Sequence, residues 1–291
     1  MGIKVVGLIL NPALGEKIAP VAREIVRFLA GHGVKVLVLR EHARLVGMEG
    51  VDRERMREAA EALFSLGGDG TLLSCVPVAA PAGIPVLGIN LGRLGFLTEL
   101  GPEELFSGLE QVLAGRYCTE ERLLLWGGIR RAGATVREVV ALNDCVVGRG
   151  ALSRPCRLEV RVDGHCAMKY NGDGIIIATP TGSTAYSFSA GGPVVAPSVD
   201  AIILTPICAH SYMVRPMVVG GDAVVEVFLE TSVAGFSLSV DGHENLPLLA
   251  GDWLTVRRYP RPLRLIRTKE RSFYSVLRRK LLLHGIEECR Q

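Results

Sequence analysis

The spacing of apolar residues changes once along the 291-residue chain, near Tyr117, and that change limits the fold more than any other feature. Before it, "IKVVGLIL", "VKVLVLR", "EALFSL" and "IPVLGIN" are apolar runs of strand length. Between the first two, "PVAREIVRFLAGHG" sets Val21, Ile25, Phe28 and Leu29 on one helical face, opened by Pro20 and stopped by Gly31 and Gly33. "PEELFSGLEQVLAG" repeats the helical spacing with Leu105, Leu109 and Leu113. Strands alternating with helices predict a parallel sheet covered on both faces, so residues 1–115 read as an α/β domain. After Tyr117 come "RLLLWGGIR", "REVVALNDCVVG", "RLEVRVDG", "GIIIATP", "AIILTP", "AVVEVFLE", "FSLSVDG" and "DWLTVRRY", parted by Gly, Pro, Asn and Asp. These predict an all-β second domain over 116–269. The tail "SFYSVLRRKLLLHG" is helical again, with Phe273, Leu277 and Leu281 on one stripe, and residues 270–291 are expected to pack back on the first domain.

Composition narrows the partners. A net charge of +3, from 33 basic and 30 acidic residues, is too balanced for a nucleic-acid binder that neutralises phosphates. The basic run "RRYPRPLRLIRTKER", 257–271, alternates with Leu, Ile and Tyr and reads as a strand with one solvated face. No apolar run approaches the roughly 18 residues of a membrane span, and "MGIKVVGLILNP" reads as a first strand rather than a signal peptide. The seven cysteines (Cys75, Cys118, Cys145, Cys156, Cys166, Cys208 and Cys289) are scattered and odd in number, which favours reduced thiols in the cytoplasm. The six histidines form no cluster, so no metal-ligand set is expected.

Three constellations carry chemistry. In "LFSLGGDGTLLSCV" an apolar run stops at Gly67 and Gly68, presents Asp69, and passes through Gly70 and Thr71 into a second apolar run. Glycine-rich turns feeding a helix bind phosphate through outward N–H groups, and a carboxylate there repels the ligand. Asp69 or Thr71 could simply cap a helix beginning near Leu72. Alternatively Asp69 takes a proton from an attacking hydroxyl, or meets the phosphates through Mg²⁺, and the motif then signals phosphoryl transfer. "GDGIIIATPTGSTAYSFSAGGP", 172–193, runs from an apolar strand into a segment dense in hydroxyls. Its donors and the face of Tyr186 suit a nucleoside. In "ALNDCVVG", Asn143 and Asp144 interrupt an apolar strand; they form a turn, or they supply an amide for an adenine edge and a carboxylate for ribose hydroxyls. The P-loop pattern and G-x-G-x-x-G are both absent, and "GINLGRLG" only approaches the second.

Together these stretches resemble the NAD kinase family across nearly the whole chain, from "SLGGDGTLL" through "PVLGINLGRLGFLTEL" and "ALNDCVV" to "DGIIIATPTGSTAYSFSAGGPVVAPS" and "SVDG". "GGDGT" alone is shared with lipid kinases, whereas the hydroxyl-rich motif is specific. The resemblance implies a Rossmann-like N-terminal domain, a β-rich C-terminal domain, an exchanged C-terminal tail and a cytoplasmic homodimer or homotetramer. It implies transfer of the terminal phosphate of ATP, carried with Mg²⁺ or another divalent cation, to the 2′-hydroxyl of the adenosine ribose of NAD. No base pocket for the donor is recognisable, so inorganic polyphosphate stays open as an alternative to ATP.

Residue by residue, the resemblance makes Asp69 the proton acceptor with Gly70 beside the ribose, and Gly67, Gly68 and Thr71 the phosphate loop. Asn143, Asp144 and Arg154 become substrate contacts. So do Asp173, Thr181, and the run Thr184, Ala185, Tyr186, Ser187, Phe188 and Ser189. Asn171 and His243 stand where many relatives carry Arg and Gln, and are assigned to the same substrate site. Two other functions compete: a lipid kinase, which needs an apolar acceptor groove, and a non-catalytic NAD(H)-sensing module, which has no use for Asp69.

Overall fold

The structure is a computed structural model that describes residues 2–92, 95–149, 156–230, 235–270 and 272–281. The chain divides into two compact units, Met1–Glu121 with Leu263–Gln291, and Arg122–Pro262. The first crossing thus falls a few residues after the change of periodicity. The return comes earlier than the helical tail alone suggests, because a strand precedes that tail.

In the first unit the apolar runs form β1 (Val5–Leu10), β2 (Lys35–Val38), β3 (Ala62–Leu66) and β4 (Val86–Ile89), and the polar stretch Cys118–Arg122 forms β5. The helices are α1 (Ala19–Gly31), α2 (Arg40–Val46), α3 (Arg53–Ala59), α4 (Asp69–Leu73), α5 (Val76–Ala82) and α6 (Leu105–Leu113). The sheet runs β2, β1, β3, β4, then the C-terminal strand Leu263–Arg267, then β5. Every pair from β2 to that strand is parallel. Burial of both faces explains the unbroken apolar strands, and Ile25 and Leu29 of α1 join the same core as Leu8, Phe64, Leu87 and Ile266. From β1 the chain steps outward to β2, then crosses back to β3 on the other side. This reversal makes the carboxyl ends of β1 and β3 the switch point at which open α/β sheets hold ligands. The loop after β3 is "GGDGT".

The second unit is built from β6 (Leu125–Arg131), β7 (Ala134–Ala141), β8 (Asp144–Arg149), β9 (Cys156–Val162), β10 (His165–Gly172), β11 (Gly174–Ala178), β12 (Ala201–Ile207), β13 (Met217–Gly220), β14 (Val225–Leu229), β15 (Phe236–Val240), β16 (Glu244–Pro247) and β17 (Trp253–Arg258). They form two antiparallel sheets, ordered β10-β9-β14-β17-β6-β7 and β13-β12-β11-β8-β15-β16. Alternation sends Cys145, Val147, Ile175, Ile177, Ile202 and Leu204 into the core between the sheets. Their neighbours Val146, Ile176, Ala178 and Ile203 face outward beneath a second apolar layer with Ala190 and Val195. That outer layer carries the short helix α7 (Tyr186–Ser189).

The basic run 257–271 corrects one expectation. It is not a single strand: β17 ends at Arg258, Pro260 and Pro262 flank a turn, and Leu263–Arg267 becomes β18 in the other sheet. Proline lacks the N–H a continuous ladder needs. Nor has β18 a solvated face, since only Arg264 of its five residues is exposed. The tail continues as α8 (Phe273–Leu281). Among the described residues no helix is long and apolar enough to cross a membrane, and Cys75, Cys118, Cys145, Cys166 and Cys208 are free thiols.

Because Ile266 is 1% exposed within the core of the first unit, that core is incomplete without the C-terminal strand. Ile266→Ala is expected to lower the unfolding free energy by about 2–5 kcal/mol. Urea denaturation checks this, and a loss below about 1 kcal/mol would show that β18 is only an edge addition.

Candidate active site

Helix α4 begins at Asp69, with Gly68 as its N-cap and no side-chain capping bond. The helix therefore starts three residues earlier than Leu72, and neither Asp69 nor Thr71 caps it. The Asp69 carboxylate turns away from its own helix and accepts backbone N–H bonds from Phe96 (2.8 Å), Leu97 (3.1 Å) and Thr98 (3.3 Å). Peptide dipoles thus do for this anion what water does elsewhere. The approach is close enough to demand glycine at 95, where a Cβ would lie 1.9 Å from Asp69 Oδ1. Phe96 N uses Oδ2, while the other two donors share Oδ1. An ionised carboxylate offers about four acceptor positions, so one remains on Oδ2. Gly70 beside it is exposed, and Gly67 is buried with its N–H on Ile89 O at 2.9 Å. Thr71 Oγ1 is buried without a hydrogen-bond partner among the described residues.

In the second unit, Leu142 and Asn143 join β7 to β8 and Asp144 opens β8, so the stretch is a turn between two strands. Asp241 clamps the join: its carboxylate accepts the N–H groups of Leu142 (2.8 Å), Asn143 (2.7 Å) and Asp144 (3.0 Å). From the other side Thr179 donates its N–H to Asn143 O (2.9 Å) and its hydroxyl to Leu142 O (2.5 Å). Gly182 packs so closely that a Cβ would stand 2.0 Å from Asn143 O. Asp144 is 4% exposed. Burial, reinforced by the neighbouring Asp241 charge, pushes its carboxyl up to about 7. Burial raises Asp241 as well, against the pull of its three N–H donors.

The hydroxyl-rich segment uses many of its donors on itself. Ser183 Oγ bonds Pro180 O (2.6 Å) and Val195 O (3.1 Å), Thr184 Oγ1 donates to Thr181 O (3.2 Å), and Ser187 and Thr205 hydroxyls pair at 2.8 Å. Thr181 Oγ1 receives Arg122. These bonds fix the backbone, and the fixed backbone presents Tyr186, 47% exposed, and Phe188, 41% exposed. Ser189 is also exposed, and Ala185 is half-buried.

A cleft of about 570 Å³ opens on the outer face of the sheet containing β8 and β15. Its walls include Tyr186, Asp173 and His243, together with Arg149, Ser237 and Ser239. Arg149 holds Asp173 in a bidentate pair, Nε to Oδ1 at 2.6 Å and a second guanidinium nitrogen to Oδ2 at 3.2 Å. This keeps the Asp173 carboxyl below its ordinary range. Asn171 lies exposed on β10 and is not among the described lining residues. Arg154 falls outside the described residues. Arg149, Ser237 and Ser239 were not singled out from the sequence. What brings Arg149 to Asp173 is the pairing of Gly148 with Gly174 in the β8–β11 ladder, and nothing local in "CVVGRG" signals it.

Comparison with known proteins agrees with this architecture. Family models of the ATP-NAD kinase N-terminal domain and C-terminal domain match residues 6–117 and 142–268. The NAD kinase of Moorella thermoacetica is 46% identical over 267 residues, covering 91% of this chain and 85% of the relative. That of Symbiobacterium thermophilum is 48% identical over 219 residues, covering 75% and 77%. Among solved structures, yeast NADH kinase complexed with NADH superposes with a TM-score of 0.86 at 27% identity, covering 97% of this chain and 88% of that one. An NAD kinase from Archaeoglobus fulgidus in complex with ATP gives 0.71 at 25% identity, covering 96% and 97%.

The buried Asp144 carboxyl makes stability depend on pH. Its folded value of about 7 lies above the ordinary 3.8 of an aspartate, so the protonated form is favoured by folding. Its contribution is full below about pH 4, falls as pH rises through about 7, and is flat above. Urea unfolding at about pH 5 and about pH 8 should show a loss of about 2–3 kcal/mol that Asp144→Asn lacks. Equal pH slopes in parent and variant would remove Asp144 as the source.

Proposed function

The chain belongs to the ATP-NAD kinase family, and from that premise we propose how its residues divide the work of phosphoryl transfer. The reaction passes the terminal phosphate of ATP to NAD, giving NADP. The observation that carries the assignment of the base is the Asp69 carboxylate, held by three peptide N–H groups with one acceptor position left on Oδ2. That position receives the 2′-hydroxyl of the acceptor ribose. It orients the oxygen lone pair toward phosphorus and takes the proton as the new P–O bond forms and the bond from phosphorus to the leaving ADP breaks. Because the transition state of phosphoryl transfer is loose, orientation does more here than basicity. The buried, unpartnered Thr71 Oγ1 and the glycines Gly67, Gly68 and Gly70 support a phosphate seat beside it.

Among the described residues no three His, Cys, Asp or Glu side chains converge on a cation site. The Asp69 oxygens are also largely taken up by N–H groups. The divalent cation, Mg²⁺ or another, is taken to arrive with the ATP phosphates as part of the substrate, where it would neutralise their charge. In the second unit, Tyr186 offers a stacking face for a base. Arg149, Asp173, His243, Ser237 and Ser239 make the cleft polar, which disfavours a lipid acceptor. Asn143, Asp144, Thr181 and Ser187 act mainly by fixing the backbone that presents this cleft; Gly70, Thr184, Ala185, Phe188, Ser189, Asn171 and Arg154 are retained as acceptor contacts on the family resemblance.

The free thiols support a reducing, cytoplasmic setting. A homodimer or homotetramer is proposed from the resemblance. It is supported by Tyr212 (83% exposed) and Met213 (75% exposed) close to the edge strand β13, and light scattering reads the assembled mass directly.

Incubation with NAD, ATP and Mg²⁺ and measurement of NADP tests the activity. Asp69→Asn should lower kcat by about 10²–10⁴-fold with NAD still bound; a kcat within a few-fold of the parent would reduce Asp69 to a structural anchor. Tyr186→Ala should weaken NAD binding by about 1–3 kcal/mol through lost stacking, and unchanged affinity by calorimetry would move the base elsewhere.

A further inference from the structure

We infer that the C-terminal strand and helix of this chain are part of the machinery that aims Asp69, with Arg267 as a positioning residue. The inference rests on Asp69 being the proton acceptor. The carboxylate takes its direction from the N–H groups of Phe96, Leu97 and Thr98, so whatever fixes those peptides fixes the base. Within the segment, Thr98 Oγ1 accepts the Gly95 N–H at 2.9 Å and Asn90 Nδ2 at 3.4 Å. Glu99 N bonds Gly88 O at 2.7 Å, which ties the segment to β4.

The remaining ties come from residues almost 170 positions further on. A guanidinium nitrogen of Arg267 donates to Leu97 O at 3.0 Å and to the Glu99 carboxylate at 3.3 Å. The peptide carbonyl it holds belongs to the same unit whose N–H, on Thr98, reaches Asp69. Arg267 Nε meanwhile donates to Glu120 on β5 at 2.7 Å, so one planar side chain ties β5 to the segment that follows β4. Glu99 has no exposed surface. It also accepts the N–H (2.9 Å) and hydroxyl (2.9 Å) of Thr268 and the N–H of Lys269 (3.3 Å). A fully buried carboxylate needs such a complete donor set, and each donor here lies at the end of β18 or just beyond it. Helix α8 adds a second hold: the Phe273 ring lies 6.4 Å from that of Phe96, and Lys280 Nζ sits 5.7 Å from the Phe96 centroid.

The fold needs β18 for its core, as Ile266 shows. Leu97 O, however, is a local contact directed at the base's cradle. Charge alone can satisfy Glu99, but only the forked guanidinium spans Glu120, Glu99 and Leu97 O together. Arg267→Lys, which keeps the charge opposite Glu99, is therefore the chosen variant. Its kcat should fall about 10- to 100-fold while KM for NAD stays within about threefold. In an Asp69→Asn background the same substitution should cause no further loss, because the cradle then holds no base. Should Arg267→Lys not fold, Phe273→Ala, on a half-buried ring, takes its place with an expected loss of about 3- to 10-fold and the same background test. An unchanged kcat, or an equal loss in both backgrounds, would overturn the inference and leave β18 a purely structural strand. Parent-like activity of Asp69→Asn itself would instead overturn the assignment of the base.

Discussion

The bonds between the Asp69 carboxylate and the peptides of residues 96–98 are what the first unit is arranged around. They resolve a conflict built into "GGDGT", where an anion sits in a turn suited to binding another anion. The turn's own helix does not solvate Asp69. A separate loop does, after β4, and it can come close only because Gly95 has no side chain. A carboxylate so held is fixed in direction and keeps an oxygen lone pair free. That geometry is what the proposed role of Asp69, receiving a hydroxyl, requires.

The second unit applies the same device to a different end. Asp241 gathers three N–H groups at the β7–β8 join, as Asp69 gathers three at 96–98, but here the clamped peptides precede Asp144. Two carboxyls are thus brought together under a join that is also packed against Gly182 and Thr179. The electrostatic cost appears in the raised Asp144 carboxyl. The buried pair Asp144 and Asp241 and the half-buried Asp69 thus differ in what surrounds them, although all three accept or border the same kind of peptide donor.

Periodicity made most of the architecture legible. The four parallel strands β1 to β4, helices α1 and α6, and the change to an all-β second unit all follow from apolar spacing. What spacing missed has physical causes. Helices α2, α3 and α5 span seven residues each, too short for a helical period to show and held by tertiary packing rather than propensity. β18 hid within a basic run because its arginines read as a solvated face, while Arg267 is in fact 8% exposed and paired with two acids. The direction of Asp69 was equally hidden. A motif records which residue stands in a turn, whereas the donors it finds are supplied 27 to 29 residues later.

The hydroxyl-rich segment shows where composition and role part. Read as a row of donors, Thr181, Ser183, Thr184 and Ser187 suggest many bonds to a ligand; in the fold they bond chiefly to one another and to nearby carbonyls. A hydroxyl satisfied internally gives a ligand little further energy, but it removes the entropy the loop would otherwise lose on binding. On the proposed reading, discrimination between ligands falls to the groups that line the cleft, among them the Tyr186 ring, the Arg149–Asp173 pair, His243 and the serines of β15. The pair is charge-neutral as a whole and fixed in orientation, so it selects by hydrogen-bond geometry rather than by net charge. If the cleft holds the acceptor as proposed, it favours a ligand whose polar atoms match in position, which a ribose offers and a lipid chain does not.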